Sequence, residues 1–147
     1  MAFCRISNTA IRLREPVMRP DALIIQDPTL LHQVDLFNGL APDGFILLNS
    51  TRSFDELGIG ELVARLPAGH ARTVPATELA LKHVGRPLPN AALLGGFAAI
   101  TGELTIEAVT RAIADKFPGA IGEKNVAAAR AAFEAAGTGH TLETAHA

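Results

Sequence analysis

The best-placed chemical groups in this 147-residue sequence are four consecutive polar side chains: Asn49, Ser50, Thr51 and Arg52. They follow residues 45–48 (FILL), an apolar run that is typical of a buried strand. Ligands of open α/β sheets bind beyond the carboxyl ends of the strands, where free backbone N–H groups and short polar side chains converge. The amide and hydroxyl groups could therefore hydrogen-bond a phosphate or an amide, and Arg52 would supply positive charge.

A purely structural role for the same residues is the alternative, and the residue types favour it. Asn49 and Ser50 are common turn residues. Ser53, with Glu56 three residues later, forms the capping-box pattern of a helix start. Residues 26–27 (QD) occupy the equivalent position after the preceding apolar run and are weaker candidates. Both interpretations of residues 49–52 stay open on the sequence.

Other kinds of chemistry find little support in the sequence. None of the five histidines is spaced from another His, Cys or carboxylate as metal ligands are. The patterns GxSxG, CxxC, Walker A and GxGxxG are absent. The single cysteine, Cys4, excludes an internal disulfide and cannot by itself hold an iron–sulfur cluster or a structural zinc ion. Without a leader pattern at its start, the sequence predicts a cytoplasmic protein.

The composition indicates one domain with apolar surface to cover. The formal net charge of −2 gives no basic footprint for nucleic acid. Charged residues make up 19% of the chain, against roughly 25% in an ordinary soluble domain. The longest uncharged apolar run, residues 91–100, is about half as long as a membrane span requires. The apolar surplus therefore predicts surface that is covered in a complex.

The elements that would position the polar residues alternate between strands and helices. Apolar runs predict strands buried on both faces at 22–25 and 45–48, with a weaker third strand at 70–74. Residues 1–7 and 10–16 have the pattern of a β-hairpin. Helical spacing and end signals predict helices over 29–37, in two short pieces within 53–66, and over 77–84, 91–101, 105–117 and 123–136. The fold class is therefore α/β, with an open, mostly parallel sheet, flanking helices, an N-terminal β-hairpin and a helical C-terminal half.

Individual residues define the predicted helices of the C-terminal half. Asn90 can cap the helix over 91–101, and Thr105 can cap the helix that follows. Each glycine of residues 95–96 costs about 1 kcal/mol relative to alanine inside a helix. A neighbouring backbone is therefore expected to approach closely there. Residues 138–147 have no periodic pattern, and we expect a disordered tail after a domain that spans residues 1–137.

Three stretches carry a resemblance. They are MAFCRIS with IRLREPVMRPDALIIQDPTLL at the start, GRPLPNAALLGGFAAITG at 85–102, and GEKNVAAARAAFEAA at 122–136. Together they resemble the gamma subunit, or gamma domain, of the 2-oxoacid:acceptor oxidoreductases, such as pyruvate:ferredoxin oxidoreductase. Members of that family begin with a glycine-rich strand–turn–helix ahead of the stretch that opens here. Residue 1 is therefore expected to lie within the domain and not at its beginning. Three explanations stay open: the N-terminal part is a separate chain, the start of the sequence is wrong, or the chain is truncated.

The resemblance implies one component of a larger enzyme that is not catalytic alone. Such enzymes decarboxylate pyruvate or another 2-oxoacid on thiamine diphosphate with Mg²⁺, pass electrons through [4Fe-4S] clusters to ferredoxin, and form an acyl-coenzyme A. The resemblance places these cofactors on other subunits, so none is expected on this chain, and its partners would be the catalytic and ferredoxin-like subunits. A structural role is expected, with Asn49, Ser50, Thr51 and Asn90 as candidates for facing coenzyme A or a partner.

Three alternatives remain beside the resemblance. One is a stand-alone module that binds a nucleotide or coenzyme A at residues 49–52. Another is a non-functional truncated copy. The third is a small hydrolase or transferase, which would need a nucleophile–base pair that the sequence does not place.

Overall fold

The computed structural model describes residues 2–12, 17–32 and 36–146, with side chains through residue 137. Within these residues the chain alternates between strands and helices and ends in a helical half. The strands are β1 (Ala22–Ile25), β2 (Phe45–Asn49) and β3 (Ala71–Val74). The helices are a 3₁₀ helix (Pro28–His32), α1 (Gly60–Ala64), α2 (Ala76–His83), α3 (Asn90–Thr101), α4 (Ile106–Lys116) and α5 (Ala120–His146). None of the described helices is long and apolar enough to cross a membrane.

The three strands form one open parallel sheet in the order β1-β2-β3. The middle strand, β2, contains three consecutive apolar residues, Ile46, Leu47 and Leu48, and all three are completely buried. The middle of a strand with neighbours on both sides and layers on both faces favours apolar side chains at successive positions, which is why the run over residues 46–48 is continuous. The predicted α/β class and parallel sheet are confirmed.

The sheet has an apolar layer on each face. On one face, Leu47 and Val74 pack with buried residues of α2, α3 and α5. On the other face, Ile25, Ile46 and Leu48 pack with apolar side chains from residues 54–66. This alternation along each strand follows from the two-residue period of side-chain direction in β-structure.

β1 differs from its prediction as a strand buried on both faces. Ile25 is buried, whereas the side chain of Ile24 is 41% exposed. The reason is the strand order, since β1 lies at the edge of the sheet while α3 and α5 pack over β2 and β3. A short apolar run does not distinguish an edge strand from a central one.

The predicted N-terminal β-hairpin is wrong over its described part. Residues 2–12 contain no strand, and all of them are exposed. A bend at residues 8–9 remains, where Ser7 Oγ accepts a hydrogen bond of 3.1 Å from the backbone N–H of Thr9. Two strands alone are marginally stable in water, and the exposed residues 2–12 gain little from burial. Residues 1 and 13–16 of that prediction lie outside the described residues.

The first two predicted helices are shorter than their patterns indicate. The segment from residue 29 begins as the 3₁₀ helix, residues 33–35 lie outside the described part, and residues 36–39 form a turn. Farther along, Ser53 Oγ accepts from the backbone N–H of Glu56, as in a capping box, and donates to the Glu56 carboxylate, but the two residues begin a turn over 54–58. That turn ends at Gly58, whose φ of +82° does not continue a helix.

The helices of the C-terminal half match their predictions more closely. Thr105 caps α4, because its side-chain oxygen accepts from the backbone N–H of Ala108 at 3.0 Å. Asn90 does not cap α3 as predicted; it is the first helical residue, and Pro89 occupies the cap position without a side-chain bond. α5 is longer than the predicted 123–136, and the disordered tail over 138–147 stays a prediction.

Candidate functional site

A cleft of about 350 Å³ lies at the carboxyl ends of β2 and β3. The four consecutive residues Asn49 to Arg52 line one wall, and Thr77 and Glu78 from the start of α2 line another. The sequence predicts that Asn49, Ser50, Thr51 and Asn90 face a ligand or a partner. The first three of these residues meet in this cleft. Its location is the one expected for a ligand site in an open α/β sheet.

Asn49 connects three elements at the base of this cleft. Its Nδ2 donates to the backbone oxygen of Gln26 at 2.9 Å and to Oγ1 of Thr77 at 2.8 Å. Its Oδ1 accepts from the backbone N–H of Thr77 at 3.2 Å. The side chain thus joins the ends of β1 and β2 to the first turn of α2, and both of its N–H donors are already used.

Ser50 closes the turn that follows β2. Its hydroxyl oxygen accepts from the backbone N–H of Arg52 at 2.9 Å and donates to the Arg52 carbonyl at 3.3 Å. Its own backbone N–H donates to the carbonyl oxygen of Val74 at 3.1 Å and so extends the pairing with β3. This is the turn role that the sequence offered as the alternative to ligand binding.

Among residues 49–52, Thr51 and Arg52 are the accessible ones. Both side chains are exposed at the mouth of the cleft. Arg52 Nε lies 4.0 Å from a carboxylate oxygen of Glu56, and both side chains are mostly exposed. An exposed pair of this kind contributes at most about 1 kcal/mol, so the guanidinium can exchange Glu56 for another anion at little cost.

Asn90 lies outside the residues that line the cleft, but one residue connects it to them. Its Oδ1 accepts from Nε2 of Gln26 at 2.7 Å, while the backbone oxygen of Gln26 accepts from Asn49. Gln26 therefore links the start of α3 to the base of the cleft. The structure brings the fourth candidate into the same hydrogen-bond network, but not into the same cavity.

The residue that follows Gln26 stabilises the turn after β1. The carboxylate of Asp27 accepts from the backbone N–H of Thr29 at 3.0 Å and from its hydroxyl at 2.8 Å. These two hydrogen bonds, the backbone one first, lower the pKa of Asp27 below its usual value. Asp27 is therefore ionised and engaged at the start of the 3₁₀ helix.

Three residues were not predicted from the sequence: two that line the cleft and one that is buried within β3. Thr77 and Glu78 follow β3 as residues 49–52 follow β2. Their position after the third strand is the signal that could have found them, because ligands of open α/β sheets bind beyond the carboxyl ends of the strands. A third residue, Arg72, was also missed: it is 6% exposed within β3, where Nη1 donates to the Ala71 carbonyl. Its register beside Leu47 places it on the sheet face covered by α3 and α5.

The chain's own residues do not fit an iron–sulfur cluster. A [4Fe-4S] cluster is held by four thiolates, and Cys4 is the only cysteine. Within the described residues, no three His, Cys, Asp or Glu side chains are grouped so that they could hold a metal ion. Any cluster in an assembly containing this chain needs thiolates from outside residues 1–147.

Comparison with known proteins defines the class of this chain. Residues 1–135 match the profile of the pyruvate ferredoxin/flavodoxin oxidoreductase family, and the chain belongs to that family. Pyruvate synthase subunit PorC of Methanothermobacter marburgensis is 40% identical over 134 residues, which are 91% of this chain and 70% of that relative. The common subunit gamma of the pyruvate/ketoisovalerate oxidoreductases of Pyrococcus abyssi is 43% identical over 133 residues, 90% of this chain and 70% of the relative.

A solved structure supports the same assignment. The crystal structure of pyruvate oxidoreductase subunit PORC from Thermotoga maritima superimposes with a TM-score of 0.67 at 30% sequence identity. The match covers 80% of this chain, which spans 64% of the length of that solved relative. These relatives are subunits of oxidoreductases, so they fit the interpretation as a gamma-type subunit and not the alternative of a stand-alone binding module.

Proposed function

We propose that this chain is the gamma-type component of a 2-oxoacid:ferredoxin oxidoreductase. The reaction takes pyruvate or a related 2-oxoacid, coenzyme A and two oxidised ferredoxins to an acyl-coenzyme A, carbon dioxide, a proton and two reduced ferredoxins. The observation that carries this proposal is the family match over residues 1–135, together with two subunits that are 40% and 43% identical.

We propose a division of labour that rests on the family resemblance. The single cysteine within residues 1–147 cannot hold an iron–sulfur cluster, and the resemblance places the clusters and thiamine diphosphate with Mg²⁺ on other subunits. The proposed partners are therefore a catalytic and a ferredoxin-like subunit, in a cytoplasmic complex. This chain contributes scaffold and surface.

We further propose that the cleft faces the coenzyme A side of the assembled enzyme. Thr51 and Arg52 are accessible at its mouth and would contact a phosphate or amide of the ligand. Asn49 and Ser50 would act as positioning residues, because their hydrogen bonds fix the turn that presents Thr51 and Arg52. Asn90 would stabilise the same region through Gln26.

The subunit assignment is tested by purifying the tagged chain from its own cells under anaerobic conditions. We expect a native mass several times the 15.4 kDa of the chain and a broad visible absorption of the clusters near roughly 400 nm. The sample should also reduce ferredoxin when given pyruvate and coenzyme A. A colourless species with the mass of the chain alone would contradict the assignment.

The role of the cleft is tested in the assembled enzyme with Arg52→Ala and Thr51→Val. Losing a charge-assisted hydrogen bond predicts a KM for coenzyme A that rises roughly tenfold in Arg52→Ala, with the KM for the 2-oxoacid unchanged. Arg65→Ala is the matched control, since Arg65 is also exposed but does not line the cleft. Equal KM values for coenzyme A in all variants would remove the cleft from the ligand's path and leave the subunit assignment intact.

A further inference from the structure

The end of α2 and the loop that joins it to α3 expose two large apolar side chains. Leu81, in the last turns of α2, is 49% exposed, and Leu88, in the loop, is 55% exposed. Residues 85–88 are all exposed. Apolar side chains that lie close together at a surface are typical of a site where another protein packs. This loop is also part of the stretch 85–102 that carries the resemblance, and the cleft does not use it.

The loop is ordered by its own hydrogen bonding and by its prolines. The backbone N–H of Leu88 donates to the carbonyl oxygen of Arg86 at 2.9 Å, which closes a three-residue turn around Pro87. Pro89 follows at once and leads into α3. The ring of a proline fixes its backbone φ angle. A surface that is ordered before it binds loses little conformational entropy when a partner covers it.

The charged side chains beside these leucines are basic. Lys82, in the last turn of α2, and Arg86, in the loop, are both exposed. No acidic residue lies between Glu78 and Glu103 in the sequence. Within the part of the chain that the structure describes, no carboxylate oxygen lies within 4.0 Å of either cation. Both are therefore available to the carboxylates of a partner.

The end of the helix explains only part of this charge. A basic residue in the last turn stabilises the negative end of a helix, which accounts for Lys82. It does not account for Arg86, which lies beyond the end of α2, or for the two exposed leucines. The surface of α4 shows the usual mixture instead, since Arg111 lies four residues from both Glu107 and Asp115. The loop between α2 and α3 departs from that mixture.

The charges and the leucines together restrict the kind of partner. Anionic membranes are bound by clusters of about 4–8 basic residues, and nucleic acids by a basic face. Here only two exposed cations accompany the leucines, on a chain whose formal net charge is −2. A guanidinium pairs with carboxylates through parallel hydrogen bonds, and a leucine at an interface fills an apolar pocket. An acidic protein surface with such a pocket offers both.

We infer that the α2–α3 corner, defined as Leu81, Lys82, Arg86 and Leu88, binds an acidic surface of another protein subunit. Carboxylates of that subunit accept hydrogen bonds from Lys82 and Arg86, and an apolar pocket between them takes up Leu88. The inference rests on the proposed role of this chain as a subunit. It adds which surface binds a partner and the chemistry of the partner's surface.

Zero-length cross-linking of the native assembly tests the inference. A carbodiimide joins a lysine amine only to a carboxylate that is in contact with it. We expect mass spectrometry to find Lys82 joined to an Asp or Glu of a different subunit. Lys82→Arg keeps the charge and should remove this cross-link while the native mass stays the same.

The outcomes separate this inference from the subunit assignment. A large complex in which Lys82 gives no cross-link, or is joined only to residues 1–147 of the same or a second copy, would overturn the inference and leave the assignment intact. A species with the mass of the chain alone would contradict both.

A matched set of substitutions gives a second readout. Arg86→Glu and Leu88→Asp should each lower recovery of the cross-linked subunit with the tagged chain about tenfold or more, because a like charge then faces the partner's carboxylates. Arg111→Glu, on α4, and Met18→Asp, at a side chain that is 77% exposed, are the controls and should leave recovery unchanged. Circular dichroism should be the same for all four variants, since all four side chains are exposed. Undiminished recovery with folded Arg86→Glu and Leu88→Asp would contradict the inference.

Discussion

At the scale of the residue, Asn49 shows how one side chain serves several elements. Its three hydrogen bonds reach the end of β1 and both the backbone and the hydroxyl of Thr77 in α2. The bond to the Thr77 backbone satisfies one of the N–H groups that the first turn of a helix leaves unpaired. An asparagine is suited to this position because its amide donates and accepts within one planar group. The proposed ligand contacts therefore fall to the exposed neighbours, Thr51 and Arg52.

We predict that Asn49→Ala lowers the free energy of unfolding by about 2 kcal/mol, because it leaves polar groups of Gln26 and Thr77 without their partner in a partly buried site. Thr51→Ala, at an exposed position two residues away, should change it by less than about 0.5 kcal/mol. Urea denaturation followed by circular dichroism measures both. Equal stability of the two variants would show that the hydrogen bonds of Asn49 make no net contribution to the free energy of unfolding.

At the scale of the element, the packing of α3 against α5 on one side and against the sheet on another explains two glycines within an apolar helix. A side chain at position 95 would overlap the backbone of Ala129 in α5, and one at position 96 would press on Leu47 of β2. Gly95 thus allows two helix backbones to approach closely, as the sequence predicted. The backbones of α3 and α5 can approach this closely because Ala128, Ala129 and Ala132 of α5 are small and buried.

We predict that Gly95→Ala destabilises the chain by about 2 kcal/mol, because the clash exceeds the gain of about 1 kcal/mol in helix propensity. Gly137→Ala is the matched control, since Gly137 lies in α5 and an added Cβ there meets no atom within 4 Å. Its substitution should instead raise stability by about 0.5–1 kcal/mol. Thermal melts of the two variants should move in opposite directions, and equal shifts would exclude the close-contact explanation.

At the scale of the whole molecule, large apolar side chains are exposed in several parts of the described chain. They include three in the N-terminal segment, Phe3, Ile6 and Ile11, and two in β1 and α3, Ile24 and Leu94. The composition indicated surplus apolar surface without locating it. A chain that functions alone would carry a cost in solubility for such surface, whereas a subunit covers it on assembly. The native-mass measurement tests whether this surface is covered in a complex.

The sequence by itself determined the features that depend on neighbouring residues. The apolar run of β2, the cap of α4 at Thr105 and the polar stretch at the end of a strand all follow from local spacing and residue type. The segments that became α2, α3 and α4 were predicted to within two residues because their periodicity, capping and end signals are local too. The family was also predicted from the sequence, through the resemblance of three stretches to known members.

Only the tertiary structure decided which of these features meet. Asn49 bonds to residues 23 and 28 positions away in the sequence, and Asn90 bonds to Gln26, 64 positions away, instead of capping its own helix. The exposure of Ile24 follows from the strand order, which no property of residues 22–25 encodes. Residues 2–12 have a strand pattern but contain no strand and are exposed, because two strands alone are marginally stable and the alternation of residue types does not supply a packing partner.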